Sequence, residues 1–258
     1  LKAAGWVPPE PITVKARDGK TTLYGLLFKP THFDPARKYP VIDYIYPGPQ
    51  TGSVRGRGFY AGHGDNQSLA ELGFIVIAID GMGTPWRSKT FHDTWYPWFD
   101  TTRVGIWGHS GGGNASTGAM LRYPELFKVA WSESGNHDNR GYEDDWAEKY
   151  HGEHIVNKDG TSNYDDQANA THASKLQGRL MLVHGTLDDN VPPYLTLLVA
   201  DALIKANKNF DMLMLPNAKH GYGDLTPYVT RRRWDYFVQY LLGATPPAQY
   251  QMQPVPKH

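Results

Sequence analysis

Residues 74–81 read FIVIAIDG, a near-continuous apolar run rich in Ile and Val. A strand of alternating polarity can leave one face in water. A run like this one has to be covered on both faces, which is the situation of a strand inside a parallel sheet. The rest of the chain repeats the theme. YPVIDYIYPG (39–48), RVGIWGHS (103–110), FKVAWSES (127–134), RLMLVHG (179–185) and FDMLMLP (210–216) read as further strands. Helical patterns fall between them: NQSLAELG (66–73), closed by glycine, GNASTGAMLRYP (113–124), PPYLTLLVADALIKAN (192–207), opened by proline, and a last helix over 225–242. ITVKAR (12–17) and TTLYGLLFKP (21–30) flank Asp18-Gly19, a hairpin turn. Strand–helix alternation predicts an α/β domain with a mostly parallel sheet and helices on both faces. No internal repeat is present, and the Pro- and Gln-rich residues after Gly243 read as irregular.

One connection does not fit the pattern. Parallel neighbours need a crossover of about a dozen residues or more, usually helical. Residues 82–102, MGTPWRSKTFHDTWYPWFDTT, are long enough but carry no 3.6-residue apolar stripe, and Pro85 and Pro97 interrupt them. The expectation is that a helical segment is absent between Tyr96 and Pro97.

Composition removes several function classes. Lys plus Arg and Asp plus Glu each number 26, a balance that argues against nucleic acid or an anionic membrane as the main partner. There is no cysteine, so disulfides and thiolate chemistry are out. No apolar run reaches the ~20 residues of a membrane span. The opening LKAAGWVPPEP lacks the apolar stretch of a signal peptide and reads like a piece from inside a longer chain. HGEH (151–154) has metal-like spacing but no second ligand group in the sequence, so no metal is assigned. RRR (231–233) reads as a solvated face or as forming interdomain salt bridges, the sequon NAS reads as buried in the nucleophile helix, and NQS and NAT matter only in a glycosylating pathway.

The stretch GIWGHSGGGNAS (105–116) sets Ser110 among four close glycines, Gly108, Gly111, Gly112 and Gly113, where a strand meets a helix. In a G-x-S-x-G turn, here Gly108 to Gly112, the serine occupies a strained bend, and the glycines remove Cβ atoms that would clash with the neighbouring elements. Ser110 Oγ is then exposed, and the Gly111 amide points to where an oxyanion would form. A serine hydroxyl needs a base, and the base needs an orienting acid. In the α/β-hydrolase order, Ser then Asp then His, each on a loop after a strand, RLMLVHG is followed by TLDDN with Asp188 and Asp189, and FDMLMLP by NAKHGYG with His220.

GHSGGG, HGTLDDNV and KHGYG, supported by FDPARKYPVIDYIYPGPQ, resemble the catalytic domain of the prolyl oligopeptidase family, its dipeptidyl peptidase IV branch in particular. The likeness runs from Trp6 to Leu242. It implies the α/β-hydrolase fold across residues 1–258, Ser110 as nucleophile, His220 as base and Asp188, the first of the pair, as the acid. Tyr46 matches a tyrosine whose hydroxyl joins the Gly111 amide in the oxyanion hole. Tyr142, Trp146 and Val191 match pocket positions around the residue before the cleaved bond, and Asn190 matches an asparagine that binds a substrate carbonyl. From the residues alone, Tyr46, Tyr142 and Trp146 read equally as packing and Asn190 as a turn former. Asn139 stands where the mammalian dipeptidyl peptidase has a further Trp, implying a wider or more polar pocket.

The resemblance thus implies a serine peptidase that cuts after Pro or Ala without a cofactor, with a peptide as substrate. It also implies an N-terminal β-propeller in the full-length protein, absent from this chain, and a homodimer. It favours a periplasmic or secreted location over a cytoplasmic one. Two rivals stand beside this reading: an esterase or acylaminoacyl hydrolase using the same triad, and a non-enzymatic interaction domain on a hydrolase scaffold.

Overall fold

The computed structural model describes residues 5–16, 19–46, 52–54, 63–80 and 99–252. Its centre is one eight-stranded sheet. In chain order the strands are β1 (Glu10–Lys15), β2 (Thr22–Phe28), β3 (Tyr39–Tyr44), β4 (Ile75–Asp80), β5 (Phe99–His109), β6 (Phe127–Glu133), β7 (Arg179–Gly185) and β8 (Asp211–Leu215). Across the sheet they run β1-β2-β4-β3-β5-β6-β7-β8. The first hairpin is antiparallel to itself and to β4, and every pairing from β4 to β8 is parallel. This is the α/β-hydrolase arrangement expected from the strand–helix alternation.

Among the described residues five α-helices accompany the sheet: α1 (Asn66–Glu71), α2 (Gly111–Arg122), α3 (Asp144–His151), α4 (Tyr194–Lys205) and α5 (Thr226–Phe237), the last continuing as a π-helical turn over Val238–Leu242. Period-two alternation sorts each buried strand between two cores. Val129, Trp131, Met181 and Val183 face α1 and α5, meeting Leu69, Val229 and Phe237. Ala130, Leu180 and Leu182 face α2 and α4, meeting Met120, Leu121, Val199 and Leu203. All of these are buried, so β6 and β7 are covered on both sides as their apolar composition requires. Among the described residues no helix is long and apolar enough to cross a membrane. The expected break between Tyr96 and Pro97 lies outside the described residues.

The strand order locates the site. From β3 the chain goes to β4 on one side of it, then returns to β5 on the other. The helices after β3 and β5, α1 and α2, therefore pack on opposite faces. The carboxyl ends of two neighbouring strands whose following helices lie on opposite faces are where open α/β sheets place their chemistry. Tyr46 follows β3 and Ser110 follows β5.

Candidate active site

Ser110 sits between β5 and α2 with φ 60° and ψ −122°. A side-chain-bearing residue in that region stores about 1–3 kcal/mol of backbone strain, held in place by its surroundings. The surroundings here are two backbone hydrogen bonds: Ser110 N–H donates to Glu133 O at 2.8 Å, and Ser110 C=O accepts from Asn114 N–H at 3.0 Å. They also need two glycines. A Cβ on Gly108 would lie 2.6 Å from Ile45 O, and one on Gly112 would strike the same carbonyl. The bend thus draws the β3 loop against the elbow. A Cβ built on Gly111 would sit 3.8 Å from Tyr46 Cζ and 4.0 Å from its hydroxyl, so the phenol lies beside the first residue of α2. The N–H groups that open a helix have no acceptor within it, and the Gly111 amide is one of them.

Asp188 lies in the loop after β7 and is buried. Its Oδ1 accepts from the Asn190 and Val191 N–H groups at 3.0 and 2.9 Å, and its Oδ2 meets His220 Nδ1 at 2.8 Å. Burial pushes the Asp188 carboxyl up, but the His220 hydrogen bond, the Val191 amide and the His220 charge outweigh it and hold the group below its usual range. The neighbouring Asp189 points to the surface instead, where Lys219 Nζ holds it at 2.7 Å. His220 belongs to the loop after β8. Its ring centroid is 4.7 Å from that of His109, the residue before Ser110, with the rings near edge-to-face. Among the described residues no hydrogen bond joins Ser110 Oγ to His220; in hydrolases such bonds tighten as substrate binds.

Three of the four expected substrate-binding residues, Tyr142, Trp146 and Asn190, come together. The Tyr142 hydroxyl reaches Asn190 Oδ1 at 3.4 Å, and the Tyr142 and Trp146 rings pack edge-to-face with centroids 5.6 Å apart. Only Trp146 is on α3, since Tyr142 precedes the helix. Val191 is placed differently. It has no exposed surface, and its backbone serves Asp188 and His184. Asn139 is likewise buried, tied to Asn136 and Gln167 at 3.0 Å each. The polar amide is held in a local network. No group of three or more His, Cys, Asp or Glu with metal-site geometry occurs among the described residues, which includes His151 and His154.

Beneath the elbow lies a network the sequence did not announce. Glu133, at the end of β6, is buried and accepts from Trp131 Nε1 at 2.6 Å, meets His109 Nδ1 at 3.3 Å, and pairs with Arg233 of α5. Arg233 also donates to Asp65 Oδ2 at 2.7 Å and lies 3.7 Å from the Trp107 ring centroid. Asp65 in turn takes the Trp234 N–H at 2.9 Å. A second tie comes from Tyr222, in the left-handed region at φ 60°, whose hydroxyl is 2.9 Å from Ser134 Oγ. Nothing in the sequence marks Glu133, which ends a strand that also holds Lys128 and Ser132. Arg233 read as one member of a basic run.

Residues 95–244 match the Prolyl oligopeptidase family. The chain belongs to that family. Human Dipeptidyl peptidase 8 is 30% identical over 240 residues, which is 83% of this chain and 26% of the relative. The Dipeptidyl-aminopeptidase B of Aspergillus niger is 31% identical over 219 residues, 74% of this chain and 23% of the relative. Among solved structures, Porphyromonas gingivalis dipeptidyl peptidase 4 superposes with a TM-score of 0.80 at 30% identity, covering 92% of this chain and 36% of that one. A Bacteroides ovatus protein gives 0.81 at 32% identity, covering 91% and 36%. The chain therefore spans about a quarter of the length of the curated relatives it matches.

Proposed function

We propose that residues 1–258 form the catalytic domain of a serine peptidase that hydrolyses peptide bonds after Pro or Ala in a dipeptidyl-peptidase-like manner. The observation that supports this most is the Asp188–His220 hydrogen bond of 2.8 Å, set on a ring that packs against the residue next to a strained Ser110. Ser110 Oγ attacks the scissile carbonyl carbon while His220 Nε2 takes the hydroxyl proton. The tetrahedral oxyanion accepts hydrogen bonds from the Gly111 amide and the Tyr46 hydroxyl, helped by the positive end of α2. Collapse expels the amine, which leaves with the proton from His220, and an acyl ester remains on Ser110. Water, deprotonated by the same imidazole, hydrolyses that ester. Asp188 keeps His220 in the Nδ1–H tautomer and stabilises the imidazolium. Tyr142, Trp146 and Asn190 take the substrate side, the rings against the residue before the cut and the amide on a backbone carbonyl.

The dipeptidyl specificity rests on the named relatives, and in this reading a propeller and a homodimer belong to the full-length protein. The test is labelling by a fluorophosphonate together with turnover of a proline-linked chromogenic amide and an aryl ester. Labelling lost in Ser110→Ala, with amide turnover in the unmodified protein, is expected. Ester turnover without amide turnover would replace the peptidase by an esterase, and no labelling would refute the nucleophile.

A further inference from the structure

Asp188 has a second histidine. His184, fully buried in β7, places Nε2 3.2 Å from Asp188 Oδ2, the oxygen His220 also uses. The same Nε2 is 2.9 Å from Val191 O. Both neighbours are acceptors, so Nε2 bears the proton. At the other end of the ring, Nδ1 is 2.7 Å from Thr196 Oγ1, buried on α4. Burial holds the His184 imidazole below its usual range, partly offset by the Val191 carbonyl and the Asp188 charge. A neutral ring that is protonated at Nε2 accepts at Nδ1, so the Thr196 hydroxyl is the donor there. Accepting at Nδ1 makes the Nε2–H a stronger donor, because hydrogen bonds in a chain polarise one another.

Resting on the triad reading above, we infer that His184 and Thr196 are positioning residues that act through Asp188. The Thr196–His184 chain holds a neutral Nε2–H that bonds Val191 O and stands 3.2 Å from Asp188 Oδ2, so that its dipole reaches the oxygen His220 also uses. Oδ1 is already fixed by two backbone amides. Removing His184 therefore leaves the carboxylate in place and returns the whole of Oδ2 to His220, tightening the His220–Asp188 bond. Other charged and titratable groups face the same loops. His109 lies against His220 with Glu133 behind it. Asp189 is neutralised by Lys219, and Tyr142 and Tyr222 carry electrostatic contacts to Asp188. His137 stands near His184 and is held neutral, its imidazole pushed down to about 3 by burial and then by His184. None of these offers a hydrogen bond to Asp188 Oδ2.

The experiment is proton NMR of the imidazole N–H resonances in histidine-15N-labelled protein, read for His220 Nδ1–H, whose downfield position tracks the strength of its bond to Asp188. His184→Phe keeps the ring volume and removes the donor. It is expected to move the resonance downfield, and Thr196→Val to move it in the same direction by less. Thr196→Ser, which keeps the hydroxyl, should leave the resonance where it is in the unmodified protein. Should His184→Phe fail to fold, the Thr196 pair decides alone. An unmoved or upfield-moving resonance in Thr196→Val would overturn the inference, and so would Thr196→Ser behaving like the valine variant. A His184 protonated at Nδ1 alone would overturn it too. The readout needs no turnover, so these results stand apart from the fluorophosphonate test, which alone decides the role of Ser110.

Discussion

Replacing Arg233 by Met tests the network under the elbow most directly. The guanidinium is buried, pairs with Glu133 and Asp65, and stacks on Trp107. Methionine keeps much of the volume and removes the charge. Glu133 would retain only the Trp131 N–H and His109, and Asp65 only the Trp234 N–H. Breaking a buried pair from one side costs about 3–5 kcal/mol, because a charge stays behind without its partner. Against a native stability of about 5–15 kcal/mol, that is a large fraction. At about 2–4 °C per kcal/mol for a domain of this size, Tm should fall by about 6–20 °C. The loss should also depend on pH. Burial alone would raise the Glu133 carboxyl, but the Arg233 charge, followed by the His109 bond and charge and the Trp131 N–H, holds it below its usual range. A depressed carboxyl contributes stability that is present above its unfolded value of about 4.3 and lost as pH falls through the folded one. Without Arg233, burial dominates and the folded value rises above the unfolded one, so that group then loses stability as pH rises. The gap in Tm between the two proteins should be widest near neutral pH and shrink on mild acidification. Adding Glu133→Gln should recover part of the loss. Calorimetric scans across pH check all three points. A fall of under about 2 °C, or a gap independent of pH, would show that the ion pair contributes little beyond packing.

Other expectations are more local. Tyr46→Phe should lower kcat by about 100-fold or more with little change in KM, because a hydroxyl beside Gly111 binds hardest as negative charge develops; steady-state kinetics on an amide substrate would expose a pure KM effect instead. Tyr222→Phe removes the bond to Ser134 Oγ and should cost about 1 kcal/mol in urea unfolding, with kcat falling as the His220 loop loosens. Asp43 is buried on β3, and burial pushes its carboxyl up to about 7. Its raised value means stability is lost as pH climbs from the unfolded value toward about 7, so Asp43→Asn should raise Tm at pH 8 more than at pH 5, and equal gains at both would count against a charged, desolvated Asp43.

The parallel sheet was legible because its signal is local. Apolar runs such as FIVIAIDG and RLMLVHG can only be strands buried on both faces, and the caps and turns between them are short-range chemistry. α3 was not placed as an element, since DDWAEKYH is short and mostly polar, and among its described side chains only Ala147 is buried. The elbow was legible as a local motif around Ser110; part of the demand for glycine is local, since a Cβ on Gly108 would strike the Gly112 carbonyl, and part comes from Ile45 O just beyond β3, which a Cβ on Gly112 would meet.

What surrounds the elbow was decided only by tertiary structure. Asp188 and Asp189 are chemically identical neighbours, and a resemblance, not their own chemistry, ranked them. Packing separates them, since the loop after β7 turns one inward to two backbone amides and two histidines and the other outward to Lys219. Arg233 and Glu133 lie 100 residues apart, and His184 reads in sequence as one polar residue at the end of an apolar strand. A sequence fixes which groups can hydrogen-bond. Which of them are shut away from water with only each other for partners depends on long-range packing, and burial is what turns a weak surface contact into a constraint.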